Sequence, residues 1–351
     1  MNPIEIDDNL KKTMQFVVDS NNENETEEGM QNDFIKQLNT LSSGLVDAPE
    51  PLLGAETVQI LLAREIHDFT VLRTEPTREL NTTVTPTSLT NMTPLLRVVF
   101  LASKQKAVES RAFRRILKTA KTAEGVQDSE CYLKDSLCMN CPRCVLFGAV
   151  KTEKGKQEAI KHRIGYGSSF SLMPYEDIEA AFTFNAVDER TQSTGQALGT
   201  RFTVSPATIF PSIVTLRCAT WKELVMVLKT LLSTLNYGAE NRIGGALRNH
   251  VIGIVIGWEE IITPLELSLE LYESYTTNEQ FNVWSDGNNK SDLTTILEKY
   301  KDEAVFGDKI QIITDKNLGA LIDSVKAFKL GKEFLETLDE DVKNFKNQSK
   351  K

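Results

Sequence analysis

The sequence predicts an α+β fold, and three stretches carry that prediction. Residues 208–218 are rich in β-branched and aromatic side chains and read as a strand. A helix over 221–235 follows, with Leu224, Val225, Leu228, Leu231, Leu232 and Leu235 at helical spacing, and an apolar strand returns over 250–257. Residues 259–351 read as helices alone, over 265–275, 293–301, 318–329 and 334–345. Between the first strands and this unit, Cys131-x6-Cys138-x2-Cys141-x2-Cys144 marks a compact inserted element.

Taken in order, the chain opens on an acidic segment, residues 1–56. Its first 50 residues hold 11 acidic and 3 basic side chains, a balance of −8. Asn21 to Glu28 reads as loop or disorder, and 33–41 as a short helix stopped by Pro49 and Pro51. Residues 57–73 read as a long strand or pair of strands, through Val58, Ile60, Leu62, Phe69 and Val71. Residues 74–93 form a polar Thr/Pro loop, too long for a simple connector, and 95–102 another core strand.

Residues 110–120 read as a helix with Ala112, Phe113, Ile116 and Leu117 on one side. Arg111, Arg114, Arg115 and Lys118 crowd the other at i, i+3, i+4 and i+7, which is mildly unfavourable unless an anion lies across them. Residues 178–187 and 199–204 read as strands flanking a polar hairpin at 188–195. Thr220 suits the N-cap of the 221–235 helix, and Asn236-Tyr237-Gly238 its end, with the glycine left-handed. A loop over 240–249 then carries Arg242, Gly244, Gly245 and Arg248 before the last strand begins at His250.

At 351 residues, 40% hydrophobic and 25% charged, the chain exceeds one average domain and can build a main core with insertions. No apolar run approaches the roughly 20 residues that span a bilayer, so a cytoplasmic protein without membrane contact is expected. The net charge of −9 is unevenly spread: residues 258–351 hold 19 acidic and 12 basic side chains (−7), whereas 61–122 hold 11 basic and 5 acidic (+6). Local field, not net charge, governs attraction of a polyanion.

Four thiolates within the 131–144 stretch can converge on a tetrahedral zinc, and with no open ligand position the site reads as structural. An iron–sulfur cluster is the competing occupant, because Cys-x2-Cys-x2-Cys also occurs in ferredoxins. Cys218 reads as a buried apolar residue. His67, His162 and His250 sit in no acid–base or ligand motif and read as structural, and Asp68 alone is weak support for a magnesium centre. Nucleophile-elbow, Gly-Lys-Thr and His-Glu-x-x-His patterns are missing.

The Arg242–Arg248 loop could cradle phosphate through glycine-exposed amides and bidentate arginine, or be an ordinary helix-to-strand turn. Joined by the Arg111–Lys118 face and by Arg73, Arg78 and Arg97 around the Thr/Pro loop, it suggests a dispersed track along a sugar–phosphate backbone. A solvated basic surface is the plainer reading of each feature taken alone.

Three segments resemble a known family: Ala63-Arg-Glu-Ile-His-Asp-Phe-Thr-Val-Leu-Arg-Thr-Glu-Pro-Thr-Arg-Glu-Leu80; the cysteine cluster ending Arg143-Cys-Val-Leu-Phe-Gly148; and Tyr237-Gly-Ala-Glu-Asn-Arg-Ile-Gly-Gly245. They look like the backbone subunit of type I-D, cyanobacterial-type CRISPR effector complexes, in the RAMP superfamily. The resemblance implies an RNA-recognition-motif-like (ferredoxin-like) β-α-β-β-α-β core over 57–105 and 166–258. It further implies a basic-helix and zinc-binding insertion over 106–165 and a helical region over 259–351. Such subunits oligomerise along a CRISPR guide RNA beside other effector-complex subunits and present it to a target DNA or RNA strand. Arg242, Gly244 and Gly245 match the family's glycine loop, and Cys131, Cys138, Cys141 and Cys144 its zinc lobe. Either 74–93 or 188–195 would be the thumb that kinks the guide. Lacking the aromatic pairs on which RNA-recognition motifs stack bases, the chain is expected not to read sequence itself. The alternatives are a magnesium-dependent ribonuclease using Asp68 and a zinc-containing scaffold that binds only protein.

Overall fold

The computed structural model describes residues 44–73, 79–132, 137–153, 156–184, 190–191, 193, 199–238, 245–278 and 292–348. The expected acidic loop and the 33–41 helix lie outside these residues. In chain order the strands are β1 (Thr57–Ile66), β2 (Thr82–Pro86), β3 (Pro94–Phe100), β4 (Ala149–Glu153), β5 (Lys156–Ile160), β6 (Ile164–Tyr166), β7 (Ser169–Phe170), β8 (Glu179–Phe184), β9 (Gly199–Val204), β10 (Ile209–Arg217), β11 (Leu247–Gly257) and β12 (Gln311–Ile313). The helices are α1 (Ala102–Ala123), α2 (Pro142–Phe147), α3 (Tyr175–Ile178), α4 (Trp221–Ser233), α5 (Pro264–Asn278), α6 (Asp292–Glu303), α7 (Asp315–Ala327) and α8 (Lys332–Gln348). The fold is α+β.

β1 is the centre of a five-stranded sheet of order β12-β11-β1-β10-β6, and every pairing in it is antiparallel. Its sequence, TVQILLAREI, is apolar on both faces because both are covered. Val58, Ile60 and Leu62 pack with Leu224 and Leu228 of α4 and with Phe113 of α1. Leu61 and Ala63, pointing the other way, pack with Leu267 and Leu271 of α5 and Ile296 of α6. In sequence, α1 runs between β1 and β6, and α4 between β10 and β11.

The Thr220 cap forms as the sequence indicates. Its hydroxyl accepts from the Glu223 amide at 3.2 Å, while Glu223 Oε2 accepts from the Thr220 amide at 3.1 Å. Glu223 also pairs with buried Arg163, which fixes the start of α4 against β6. α7 and α8 contribute Leu318, Leu321, Phe334 and Leu338 to the main core. Lys121–Asp339 at 2.6 Å and Lys222–Asp341 at 2.7 Å tie α8 to α1 and α4.

Several boundaries differ from expectation. α1 starts at Ala102, well before residue 110, because its N-cap, Leu101, offers no capping side chain to announce it. The expected loop 74–93 contains β2, which pairs with β3, and β3 lies in a separate sheet, β2-β3-β7. β11 begins at Leu247, so Arg248 is a strand residue. Gly238 is not left-handed; Gly245 is, at φ 59°. There a Cβ would meet Thr70 Cγ2 at 2.7 Å, so the backbone approaches too closely for any side chain. Among the described residues no helix is long and apolar enough to cross a membrane.

Candidate nucleic-acid interface

α1 buries Phe113 and Leu117 and leaves Arg111, Arg115 and Lys118 exposed along one ridge. At its N-terminal end, Lys104 Nζ donates to the Arg73 carbonyl at 3.4 Å. Burial, with Arg111 and Arg73 nearby, pushes the Lys104 amine down to about 8. Three cations thus share one neighbourhood, and an anion placed there would relieve their repulsion.

Further along α1, Ile116 forms one wall of a cavity of about 610 Å³ whose other walls include Lys229 and Leu232 of α4, Arg248 and His250 of β11, and Lys326 of α7. Burial pushes the Lys229 amine down, and its Nζ donates to the Lys326 carbonyl at 3.3 Å. This concave, cation-lined surface is thus a second basic feature, reached by α1 through Ile116 on the side of the helix away from the ridge. Lys229 and Lys326 were not legible as part of it, since each occupies an ordinary polar position of an amphipathic helix.

Two expected contact residues lie elsewhere. Arg97 is wholly buried. It donates to Thr85 Oγ1 at 3.0 Å, the Ser171 carbonyl at 2.7 Å and the Thr87 carbonyl at 2.9 Å, and stacks 4.7 Å from the Tyr272 ring. It holds the small sheet against α5, and its guanidinium is spent on protein acceptors. Arg114 turns away from the ridge, donating to Asp128 Oδ2 at 2.8 Å and the Ser129 carbonyl at 2.6 Å. Arg78, Arg242 and Gly244 lie outside the described residues.

A buried polar network reaches Tyr237, just ahead of the expected glycine loop. Arg64 Nη1 donates to Glu109 Oε1 at 2.6 Å and Asn249 Oδ1 at 2.7 Å, and Tyr237 Oη donates to Glu109 Oε1 at 2.8 Å. Both charges are at most 1% exposed. The network binds β1, α1, β11 and the chain leading into the loop at one point. Arg64, a charged residue directly after the apolar run Ile60–Ala63, was the sequence signal for it.

The four expected cysteines do converge. Cys144 Sγ lies 3.5 Å from Cys131, 3.8 Å from Cys138 and 3.7 Å from Cys141. Sulfurs bonded at about 2.3 Å to a tetrahedral zinc are about 3.8 Å apart, so the donor set fits that ion. Cys141 caps α2, and Pro142 starts it, which turns Cys144 back towards Cys141. Without an ion, four thiols cannot all ionise: contact with Cys131 pushes Cys141 and Cys144 up and holds Cys138 down. The Arg114 guanidinium, placed between Asp128 and this cluster, supplies countercharge to the thiolates. Cys218 is separate and 3% exposed.

His162 is exposed. Asp68 is exposed and accepts the Phe69 amide at 2.8 Å, and among the described residues it joins no convergent ligand group.

This fold is similar to that of a solved Csc2 protein. The crystal structure of Thermofilum pendens Csc2 is similar over 88% of this chain and 98% of that one, with a TM-score of 0.59 at 19% identity. Weaker likenesses are to a Type IV-B CRISPR complex (TM-score 0.39, 13% identity, 55% of this chain and 89% of that one) and to a CRISPR RNA-guided surveillance complex (0.39, 12%, 77% and 97%). No curated protein matches the chain. Residues 45–338 match the Csc2 CRISPR family model, and the chain belongs to that family.

Proposed function

We propose that this chain is a non-catalytic subunit of a type I-D CRISPR effector complex. It oligomerises along the guide RNA, beside other subunits, and presents the guide for pairing with an invading DNA or RNA strand. The observation that carries this reading is the exposed Arg111–Arg115–Lys118 ridge, with a separate cavity lined by Lys229, Arg248 and Lys326, on a chain of net charge −9. Such a surface suits phosphates without reading bases. Arg73 and, from the sequence pattern, Arg78, Arg242, Gly244 and Gly245 extend the track; Arg97 and Arg114 are left out.

The β11-β1-β10-β6 order with α1 and α4 as crossovers supports a ferredoxin-like core over 57–105 and 166–258, as in the RAMP superfamily. The 106–165 insertion would be stapled by structural zinc on Cys131, Cys138, Cys141 and Cys144, and 259–351 would form the helical region. The β8–β9 ribbon is the better thumb: among the described residues its strands pair with each other, and its base is held by the Thr70–Val204 bridge and the Phe69–Phe182 ring contact at 4.5 Å. The rival β2–β3 turn is tied down to α5 through Thr90 and Glu273. A cytoplasmic location follows from this role.

Expression with a guide array should yield protein that carries RNA of one length and absorbs strongly in the nucleic-acid band. A clean protein spectrum would favour the protein-only scaffold. Periodic cutting of target RNA with Mg²⁺, lost in Asp68→Ala, would favour the ribonuclease.

A further inference from the structure

Glu65 on β1, His67 just beyond it and His250 on β11 converge at a third place, apart from the cysteine cluster. The Nε2 atoms of His67 and His250 each lie 3.0 Å from the same atom, Glu65 Oε2. All three candidate ligand atoms lie within 4.8 Å of one another. The three side chains are 33–41% exposed, so one side of the triangle faces water.

A bulge builds this triangle. From Thr57 to Leu61, odd-numbered residues of β1 pair with odd-numbered residues of β11. The register shifts between Leu61 and Leu62, after which Ala63 pairs with His250 and Glu65 with Arg248. Directly paired residues share a face of the sheet, and a one-residue slip exchanges the faces. In the unshifted register His250 would face the buried network of Arg64 and Glu109. With the shift it stands on the face of Ala63 and Glu65. His67, two residues past Glu65, joins that face, and its amide is held to the Ala246 carbonyl at 2.7 Å. Bulges that re-aim a side chain are common beside functional sites.

We propose that Glu65, His67 and His250 form a second divalent-metal site, for zinc or an ion of its class. Zinc bonds of about 2.0–2.1 Å in a tetrahedron set ligand atoms roughly 3.3 Å apart, so the 3.0 Å contacts need open by only a few tenths of an ångström. Two imidazoles and a carboxylate favour zinc, nickel or copper over magnesium or calcium. Binding requires the neutral rings to carry their protons on Nδ1 so that both Nε2 atoms face the ion. Three protein ligands leave a fourth position for water or an anionic oxygen, in contrast to the closed cysteine cluster. Arg248, exposed and paired across from Glu65, stands where it would hold an anionic fourth ligand.

The test is zinc content of the untagged full-length chain after equilibration with excess Zn²⁺ and gel filtration, measured by elemental analysis. The wild type is expected to carry one more equivalent than His67→Asn, His250→Asn or Glu65→Gln, whose melting in metal-free buffer should match the wild type. Titration with Zn²⁺ alone should show each variant losing affinity at this site by at least the about tenfold that removal of a mere outer-shell partner produces. Cys144→Ser serves as the independent arm, since it should remove a different equivalent and leave this one in place. Equal zinc content and unchanged titrations in all three His/Glu variants would overturn the proposal.

Discussion

Replacing Arg64 by alanine is expected to cost about 3–5 kcal/mol, because it strands Glu109 in the core. Glu109 is 1% exposed, and in the variant it would keep tyrosine hydroxyls, such as that of Tyr237 at 2.8 Å, but no cation. A loss of that size removes a large share of the roughly 5–15 kcal/mol that holds a typical protein folded. Guanidinium unfolding should show a lower midpoint with an unchanged slope. Arg64→Met combined with Glu109→Leu should recover most of the loss, because removing both charges together leaves no orphan. A single-variant loss below about 1 kcal/mol would mean that Glu109 is reached by water or takes up a proton at small cost.

Cys144→Ser is expected to empty the cysteine cluster. Cys144 lies 3.5–3.8 Å from each of the other three sulfurs, so its loss removes one of four ligands and leaves a tetrahedral ion with an open corner. Structural zinc contributes about 10–16 kcal/mol of apparent binding free energy in small metal-folded units, so the insertion should lose its fixed structure without the ion. Amide exchange should then accelerate through α2 and the β4–β5 hairpin, while β1, β10 and β11 keep their protection. A chelator should produce the same pattern in the wild type. Retention of metal and of protection in the variant would show that the sulfurs are held by packing alone.

The sequence made the central unit legible because its signals are local. Thr220 with Glu223 announces a capping box, and 208–218 and 250–257 are apolar runs with no competing period. The cysteine cluster was legible for the same reason: its spacing lies within one short stretch. The small sheet was not, since β2 is a Thr-rich strand read as loop, and its partner β3 looks like any core strand. Arg97 and Arg114 show the limit for the candidate interface. Helical spacing set Arg114 among its neighbours, but Asp128 and Ser129, fixed by the fold of the insertion, drew it inward. Arg97 carries the same charge as Arg111, and only tertiary packing decides that one is buried and the other exposed. The His250–Glu65 pairing depends on a bulge beside Gly253; a glycine inside a strand is the signal for such a shift, but it does not say which partner residue the shift brings opposite His250.

The salt dependence of RNA binding tests most directly the claim that this chain grips a guide by its phosphates. Affinity for single-stranded RNA should fall steeply with salt, by about 0.7 in logarithmic slope for each phosphate contacted. Arg111→Ala, Arg115→Ala and Lys118→Ala together should flatten that slope by about 2, and Arg248→Ala should flatten it further. An affinity independent of salt, or a slope untouched by the triple variant, would contradict the account.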